Sequence, residues 1–341
     1  EDIEALAVHD EDTMFLQPCV SPVWDTPWAI MALLKSGLPS NHPSLVRAGE
    51  WMLEKEVKSF GDWSMKNHVR EPSGWYFQHA NEFYPDNDDA AVVMMSLQLL
   101  DLPDKDRKSQ AILRGFKWLM GMQCNDGGWG SFDKNNNKKI LNNIPFADWN
   151  ALLDPSTSDL TARVLDLMGK LGYDLSFSPA KKAVDFLKKE QEKNGSWFGR
   201  WGTNYVYGTW SVLTGLYSIK EDMNKDYVKK SASWLIDFQN EDGGWGETCK
   251  SYWDTSFSAI GRSTASQTSW AVLGLLCTEE RYSNAVKKGI EYLINTQKED
   301  GTWDEDEFTG TGFPKIFYLR YHMYRSYFPL LALSKFRNMI E

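Results

Sequence analysis

The chain has 341 residues, a formal net charge of -10 and a sequence pI near 5.1. A phosphate-binding surface needs clustered Lys and Arg, so this charge balance argues against a nucleic-acid partner. Four widely spaced cysteines and five histidines without ligand spacing argue against a protein-built metal site and favour a reduced cytoplasmic setting.

Aromatic residues make up 14% of the chain, with 16 Trp, which is more than packing alone requires. The opening EDIEALAVHDEDT lacks the basic start and apolar run of a signal peptide. No stretch of the sequence approaches the roughly 20 apolar residues of a membrane span. We therefore expect the excess of aromatic residues to have a role within the folded domain.

Two kinds of predicted helix alternate along the chain. The first kind is an amphipathic helix followed by Gln, a Gly-rich turn and Trp, as in RGFKWLMGMQCNDGGW. The earliest copy carries Glu56 in place of Gln and is predicted to close on Trp63. The five copies span 47–63, 114–129, 181–197, 229–245 and 287–303.

The second kind is apolar nearly all round and begins at Ser, Thr or Asp residues typical of helix N-caps. A helix that is apolar on every face is buried, so we expect these segments to be the inner helices. They are SPVWDTPWAIMALLKSGL, DNDDAAVVMMSLQLLDL, TSDLTARVLDLMGKLGY, YGTWSVLTGLYSI, STASQTSWAVLGLLCTEE and YRSYFPLLALSKF.

Alternating exposed and buried helices without a strand pattern predict an all-α fold, a closed α/α six-fold barrel with the inner N-termini gathered at one end. The sequence supplies six inner helices but five outer ones. We therefore expect residues 1–20 to be a linker from an upstream second barrel domain that is absent here, and residues 21–341 to form a catalytic barrel with five repeats.

The Q-x(3)-G-x-W repeats, the DNDD stretch and the tail GTGFPKIFYLRYHMYRSYFPLLAL resemble the QW motifs, the DxDD motif and the C-terminus of the squalene-hopene cyclase family, the class II triterpene cyclases. The resemblance implies an α/α barrel that works without cofactor or metal. It also implies protonation of a terminal double bond of squalene or a similar linear polyprene, followed by cationic polycyclisation to a hopene-type product.

Asp86, Asp88 and Asp89 crowd the start of a predicted inner helix. Like charges this close cannot all ionise, so at least one carboxyl keeps its proton, and the helix N-terminus stabilises the charge left after proton transfer. By the resemblance Asp88 is the donor, with Asp86 and Asp89 shaping its acidity. The alternative is an N-cap followed by first-turn acids. Asp25, at another inner-helix start, either supports the acid end or is a plain cap.

One departure from the family concerns the partner of the acid. In hopene cyclases a His in the segment written here as LNNIPFADW hydrogen-bonds the donor, and this chain has Asn143 at that place. An amide can orient a carboxyl group but cannot carry positive charge. The resemblance therefore implies altered tuning of the donor.

Aromatic ring faces stabilise a carbocation by about 0.5 to 2 kcal/mol each. A core role is favoured for Phe132, and a functional one for Phe313 and Phe317, which are predicted to lie in a loop. The repeats are read as structural, with Gln capping a helix end and Trp stacking on it. The residues that the resemblance places in the substrate pocket are Trp24, Phe77, Phe132, Trp201, Tyr207, Phe313, Phe317, Tyr321 and Tyr324.

Several alternatives stay open at this point. The substrate could be another polyprene, a C35 chain or a prenyl diphosphate, although a diphosphate requires a basic pocket. The domain could also be an isolated non-catalytic barrel or an α/α-barrel glycosidase using Asp25 with Asp88. A protein prenyltransferase β subunit shares the barrel but needs an Asp, Cys and His zinc set that this sequence does not supply. For a lipid-dissolved substrate we expect a cytoplasmic protein in peripheral contact with the membrane, and the oligomeric state, a homodimer included, is open.

Overall fold

The computed structural model describes residues 4, 7–10, 13–17, 20–138, 140 and 152–341. Six inner helices alternate with five outer helices in the described part of the chain, as the sequence predicts. The inner helices are α1 (Pro22–Ser36), α3 (Asn87–Leu99), α5 (Ser158–Lys170), α7 (Tyr205–Ser218), α9 (Ala265–Leu275) and α11 (Tyr324–Ile340). The outer helices are α2 (Pro43–Glu54), α4 (Lys105–Gly121), α6 (Ser178–Glu190), α8 (Asp226–Asp237) and α10 (Asn284–Thr296).

The inner helices form a closed ring. Each packs against the next, from α1 through α3, α5, α7 and α9 to α11, and α11 packs back against α1. Every residue of α9 is buried, as expected for a helix apolar on all faces. An outer helix such as α6 buries only Ala180, Ala183, Val184, Phe186 and Leu187, which is one stripe at helical spacing. The α/α barrel is confirmed.

The first four repeats each tie the end of one outer helix to the next outer helix, as the fourth repeat illustrates. The indole of Trp245 donates a hydrogen bond of 2.7 Å to the carbonyl of Leu235, in the last turn of α8, where no helical partner exists. The amide of Gln239 donates to the carbonyl of Gly243 in its own turn and to that of Ala285 in α10, both at 2.8 Å. Trp therefore caps the helix by a hydrogen bond rather than by stacking, and Gln bridges to the next helix.

The earliest repeat differs from the prediction. Its closing residue is Trp75, whose indole donates to the carbonyl of Met52 at 2.7 Å, and not Trp63. A longer turn separates Glu56 from this Trp. Glu56 takes the bridging role of Gln by accepting two hydrogen bonds from Arg114 in α4, at 2.9 and 2.7 Å.

Two short antiparallel hairpins accompany the helices in the described ranges. Strand β1 (Ala7–Asp10) pairs with β2 (Thr13–Leu16), within the stretch predicted to be a linker. Strand β3 (Gly310–Phe313) pairs with β4 (Phe317–Leu319), and Phe313 lies opposite Phe317. The loop predicted for these two residues is therefore a hairpin, which fixes both rings more firmly than a loop would.

Replacing Gln239 by Met should remove both bridging hydrogen bonds and leave two carbonyls without this donor. We expect the free energy of unfolding in urea to fall by about 1–3 kcal/mol. Gln297→Met is the matched control, because Gln297 is exposed and its amide donates to the carbonyl of Gly301 at 3.0 Å. The control should change stability by no more than about 0.5 kcal/mol; equal losses at both positions would contradict the bridging role.

Candidate active site

A cavity of about 220 Å³ lies where the inner helices begin. Trp24 comes from the first turn of α1, the three aspartates from the start of α3, and Tyr324 is the first residue of α11. Hairpin β3–β4 contributes Phe313, Phe317 and Leu319. The lining residues are Trp24, Phe77, Gln78, Asn81, Tyr84, Asp86, Asp88, Asp89, Phe132, Trp201, Thr311, Gly312, Phe313, Phe317, Leu319, Tyr321 and Tyr324.

The three aspartates have different roles at the N-terminus of α3. Asp86 is the N-cap, and its carboxylate accepts hydrogen bonds from the backbone amides of Asp88 at 2.7 Å and Asp89 at 3.4 Å. Its own amide donates to the carbonyl of Trp75 at 2.7 Å, so the repeat turn holds the cap in place. Asp88 and Asp89 are buried, and Oδ1 of each makes no hydrogen bond within the described residues.

The cation that faces Asp88 is Arg163, a buried residue of α5. Its Nε lies 3.4 Å from Oδ1 of Asp88, and its Nη2 donates hydrogen bonds to the hydroxyl groups of Tyr207 at 3.3 Å and Ser211 at 3.2 Å. Arg163 was not predicted as a site residue from the sequence. A signal was present, because an arginine within an inner helix must be buried and therefore needs an acidic partner.

Burial dominates the acidity of the cluster. It raises the pKa of Asp88 from its ordinary 3.8 to about 7; the charge of Arg163 opposes this rise and that of Asp159 adds to it. Burial likewise raises the pKa values of Asp86 and Asp89 well above the ordinary range, and the neighbouring carboxylates raise them further. The cluster therefore holds protons at neutral pH, as the crowding of charges predicts.

Two further predicted members of the acid site are Asn143 and Asp25. Asn143 lies outside the described residues. Asp25 does not line the cavity; its carboxylate accepts hydrogen bonds from the hydroxyl groups of Ser21 at 2.6 Å and Tyr327 at 3.0 Å. Burial raises the pKa of Asp25, and its charge contributes to the raised pKa of Asp89. Asp25 therefore acts on the cluster through its charge.

Eight of the nine predicted pocket aromatics line the same cavity as the aspartates. The indole of Trp24 donates a hydrogen bond of 2.9 Å to the hydroxyl of Tyr324, whose ring stacks on Tyr321 with centroids 4.6 Å apart. Tyr207 is the exception. It is buried behind Arg163, packs edge-on against Trp270 and does not reach the cavity surface.

Buried carboxylates also hold the two rings on the far wall. Asp154 accepts a hydrogen bond from the backbone amide of Phe132 at 2.6 Å, and Asp159 accepts one from that of Trp201 at 3.0 Å. The Trp201 indole donates to the hydroxyl of Ser131 at 2.7 Å. Neither aspartate was predicted as a site residue, although TSDLTARV places Asp159 in a helix predicted to be apolar.

The described wall of the cavity carries no basic side chain that would bind a polyanion and no cluster of metal ligands. No lysine or arginine is among its lining residues, and no group of three His, Cys, Asp or Glu side chains in the described ranges is placed to hold a metal ion. No helix in this part of the chain is long and apolar enough to cross a bilayer.

Comparison with known proteins agrees with this geometry. The family described as squalene-hopene cyclase C-terminal domain matches residues 20–338. A squalene-hopene cyclase of Zymomonas mobilis is 47% identical over 99% of the chain and 53% of that protein, and one of Alicyclobacillus acidocaldarius is 45% identical over 100% and 54%. The chain thus spans about half the length of these curated relatives.

A solved structure shares the fold. The type II terpene cyclase MstE from Scytonema matches with a TM-score of 0.64 at 14% identity, covering 98% of this chain and 92% of that one. At this level of identity the match concerns the arrangement of helices.

The raised pKa of Asp88 makes folding depend on pH. Because the folded pKa of about 7 exceeds the ordinary 3.8, the folded state binds more protons between these values. Stability should therefore fall as pH rises from about 4 to about 7, by on the order of 1 kcal/mol per unit. Urea unfolding of the intact protein should show a shallower fall in Asp88→Asn, and identical slopes would contradict the assignment.

Proposed function

Because the chain belongs to the squalene-hopene cyclase family, we propose that it catalyses class II cyclisation of squalene or a similar uncharged linear polyprene. The single observation that carries the proposal is Asp88, a carboxyl group that keeps its proton near neutral pH and faces a cavity walled by aromatic rings. A buried acid beside ring faces fits an alkene substrate that becomes a cation.

In the proposed first step the terminal double bond takes the proton of Asp88. The π electrons form the new C–H bond, a tertiary carbocation remains on the neighbouring carbon, and Asp88 becomes a carboxylate. Each following double bond then attacks the cation and forms a ring bond. The last cation then gives a proton from a neighbouring carbon to water, and the electrons of that C–H bond form the double bond of a hopene-type product.

Arg163 makes the first step less costly. A carboxylate left in an apolar cavity is strongly disfavoured unless it is paired. The guanidinium, 3.4 Å away and permanently charged, pairs with the carboxylate as it forms. Burial keeps the proton on Asp88 before reaction, and Arg163 stabilises the charge afterwards.

The rings serve the later steps. Trp24, Phe77, Tyr321 and Tyr324 surround the cavity near the acid, with Phe77 edge-on to Tyr321 at 6.3 Å. Their faces stabilise positive charge by about 0.5 to 2 kcal/mol each, and they offer no lone pair that would trap the cation as readily as a carboxylate or amine would.

The lining also separates the alternatives. A prenyl diphosphate would find no lysine or arginine on the described cavity wall, so an uncharged polyprene is favoured. A glycosidase would need a second carboxylate across the cavity, and Asp25 is held away from it by Ser21 and Tyr327.

We also propose a cytoplasmic protein in peripheral contact with a membrane, where such a substrate dissolves. Three exposed apolar side chains support this: Met65, Phe83 and Tyr84 are 85%, 64% and 53% exposed, and Tyr84 also lines the cavity. Exposed apolar side chains, one of which also lines the cavity, would contact lipid.

The test of function is incubation of the intact protein with squalene, followed by gas chromatography of the extract. Asp88→Asn should abolish the cyclised product, because an amide cannot donate the strongly acidic proton that an alkene requires. Asp25→Asn is the control: it removes a nearby buried carboxyl that does not line the cavity, and activity should remain measurable. Product formation by Asp88→Asn at the wild-type rate would refute the proposal.

A further inference from the structure

The guanidinium of Arg163 is enclosed by aromatic rings. It lies 4.8 Å from the ring centroid of Trp28 and 4.8 Å from that of Trp210, with Trp24 and Tyr207 each at 6.0 Å. Trp28 belongs to α1 and Trp210 to α7, so the two nearest rings come from different sides of the barrel. Aromatic ring faces therefore contact the Arg163 guanidinium in addition to its hydrogen bonds, and no sequence motif predicts these contacts.

A second acidic side chain on α5 is an alternative partner for the Arg163 guanidinium. Asp166, one turn further along α5, is buried and bound to Lys170 and to Ser218, and its charge also acts on Arg163. A second cavity, of about 240 Å³, opens on this side and is lined by Arg163, Asp166 and Lys170. A long, flexible side chain beside open space and a second carboxylate needs something to keep it turned toward Asp88.

Trp28 and Trp210 also line this second cavity. Their ring faces attract the guanidinium, which stacks on aromatic surfaces more readily than an ammonium group does. The hydroxyl groups of Tyr207 and Ser211 accept hydrogen bonds from Nη2, and the two indoles lie against the guanidinium, whose Nε is 3.4 Å from Oδ1 of Asp88. We propose that Trp28 and Trp210 are positioning residues that hold Arg163 against Asp88 and thereby set the strength of the proton donor. The catalytic meaning of this inference rests on the proposed function.

Other charged groups surround this pair, and their contributions must be held constant. Asp86 and Asp89 lie beside Asp88 at the start of α3; Asp25 acts on Asp89 from α1, and Asp154 acts on Asp86. Lys35 and Lys335 line the far cavity from α1 and α11. On α5 and α7 the titratable groups that face the pair are Asp159, Asp166, Lys170 and Tyr207. None of these is changed in the variants below.

The test measures the titration of Asp88 without substrate. The carboxyl stretching band of the intact protein is followed by infrared spectroscopy against pH, and the Asp88 component is assigned by its loss in Asp88→Asn. In Trp28→Leu and Trp210→Leu the guanidinium is freed to turn away. The Asp88 pKa should then rise by about one unit, since a close arginine lowers a carboxyl pKa by about 1–3 units. Trp28→Phe keeps a ring face and should shift the pKa less.

Trp270→Leu is the matched control. Trp270 is fully buried and stacks on Trp210 with centroids 5.9 Å apart, so its loss opens a similar hole in the same aromatic core. Among the described residues the rings facing Arg163 are those of Trp24, Trp28, Tyr207 and Trp210. The control should therefore lose stability while leaving the Asp88 pKa unchanged.

An unchanged pKa in both Trp28→Leu and Trp210→Leu, or an equal rise in Trp270→Leu, would overturn the inference. If the leucine variants do not fold, the double variant Trp28→Phe with Trp210→Phe is compared with Trp270→Phe, and a larger upward shift in the double variant is required. Because the infrared readout needs no turnover, it separates the two claims. A protein that shows the shift but forms no cyclised squalene would refute the proposed function and leave the positioning role intact.

Discussion

The site depends on one electrostatic arrangement, in which buried carboxyl groups at the start of α3 face the guanidinium of Arg163 inside an apolar barrel. Burial favours the protonated acid, and the guanidinium favours its conjugate base. Neither effect alone gives a useful donor: burial without the cation makes proton loss too costly, and the cation without burial would leave Asp88 ionised at neutral pH. The pKa of about 7 is the balance of the two.

The barrel keeps the two groups that set this pKa at a fixed separation. Asp88 and Arg163 belong to neighbouring inner helices, so the distance between them is fixed by how α3 packs against α5. The outer helices limit the freedom of the ring, because a Gln or Glu side chain in each of the first four repeats joins the end of one outer helix to the next outer helix. The structural role that the sequence suggests for the repeats thus connects to the chemistry through the rigidity of the inner ring.

The sequence predicts those features of the fold that depend on local residue patterns. Helical periodicity yields the alternation of inner and outer helices, and the N-cap position of Asp86 follows from the residues around it. Prediction from the sequence pattern fails for contacts between segments that are far apart in the chain. Arg163 contacts Asp88 across 75 positions of sequence, the earliest repeat closes on Trp75 only because a long turn folds back, and the hairpin of Phe313 and Phe317 depends on pairing across a short connection. The family motifs place eight aromatics at the cavity, whereas Tyr207 is turned away by its hydrogen bond to Arg163.

An arginine beside the acid has a consequence that a histidine would not have. An imidazolium can lose its proton near neutral pH, so its support for the conjugate base would fade as pH rises. A guanidinium stays charged over the whole working range but cannot pass a proton to Asp88. The proton that replaces the one consumed in each turnover must then arrive by another group or by water, while the pH response of the donor comes from the carboxyl groups themselves. The aromatic faces around Arg163 are consistent with these separate roles, because they hold the guanidinium in place and are not proton acceptors.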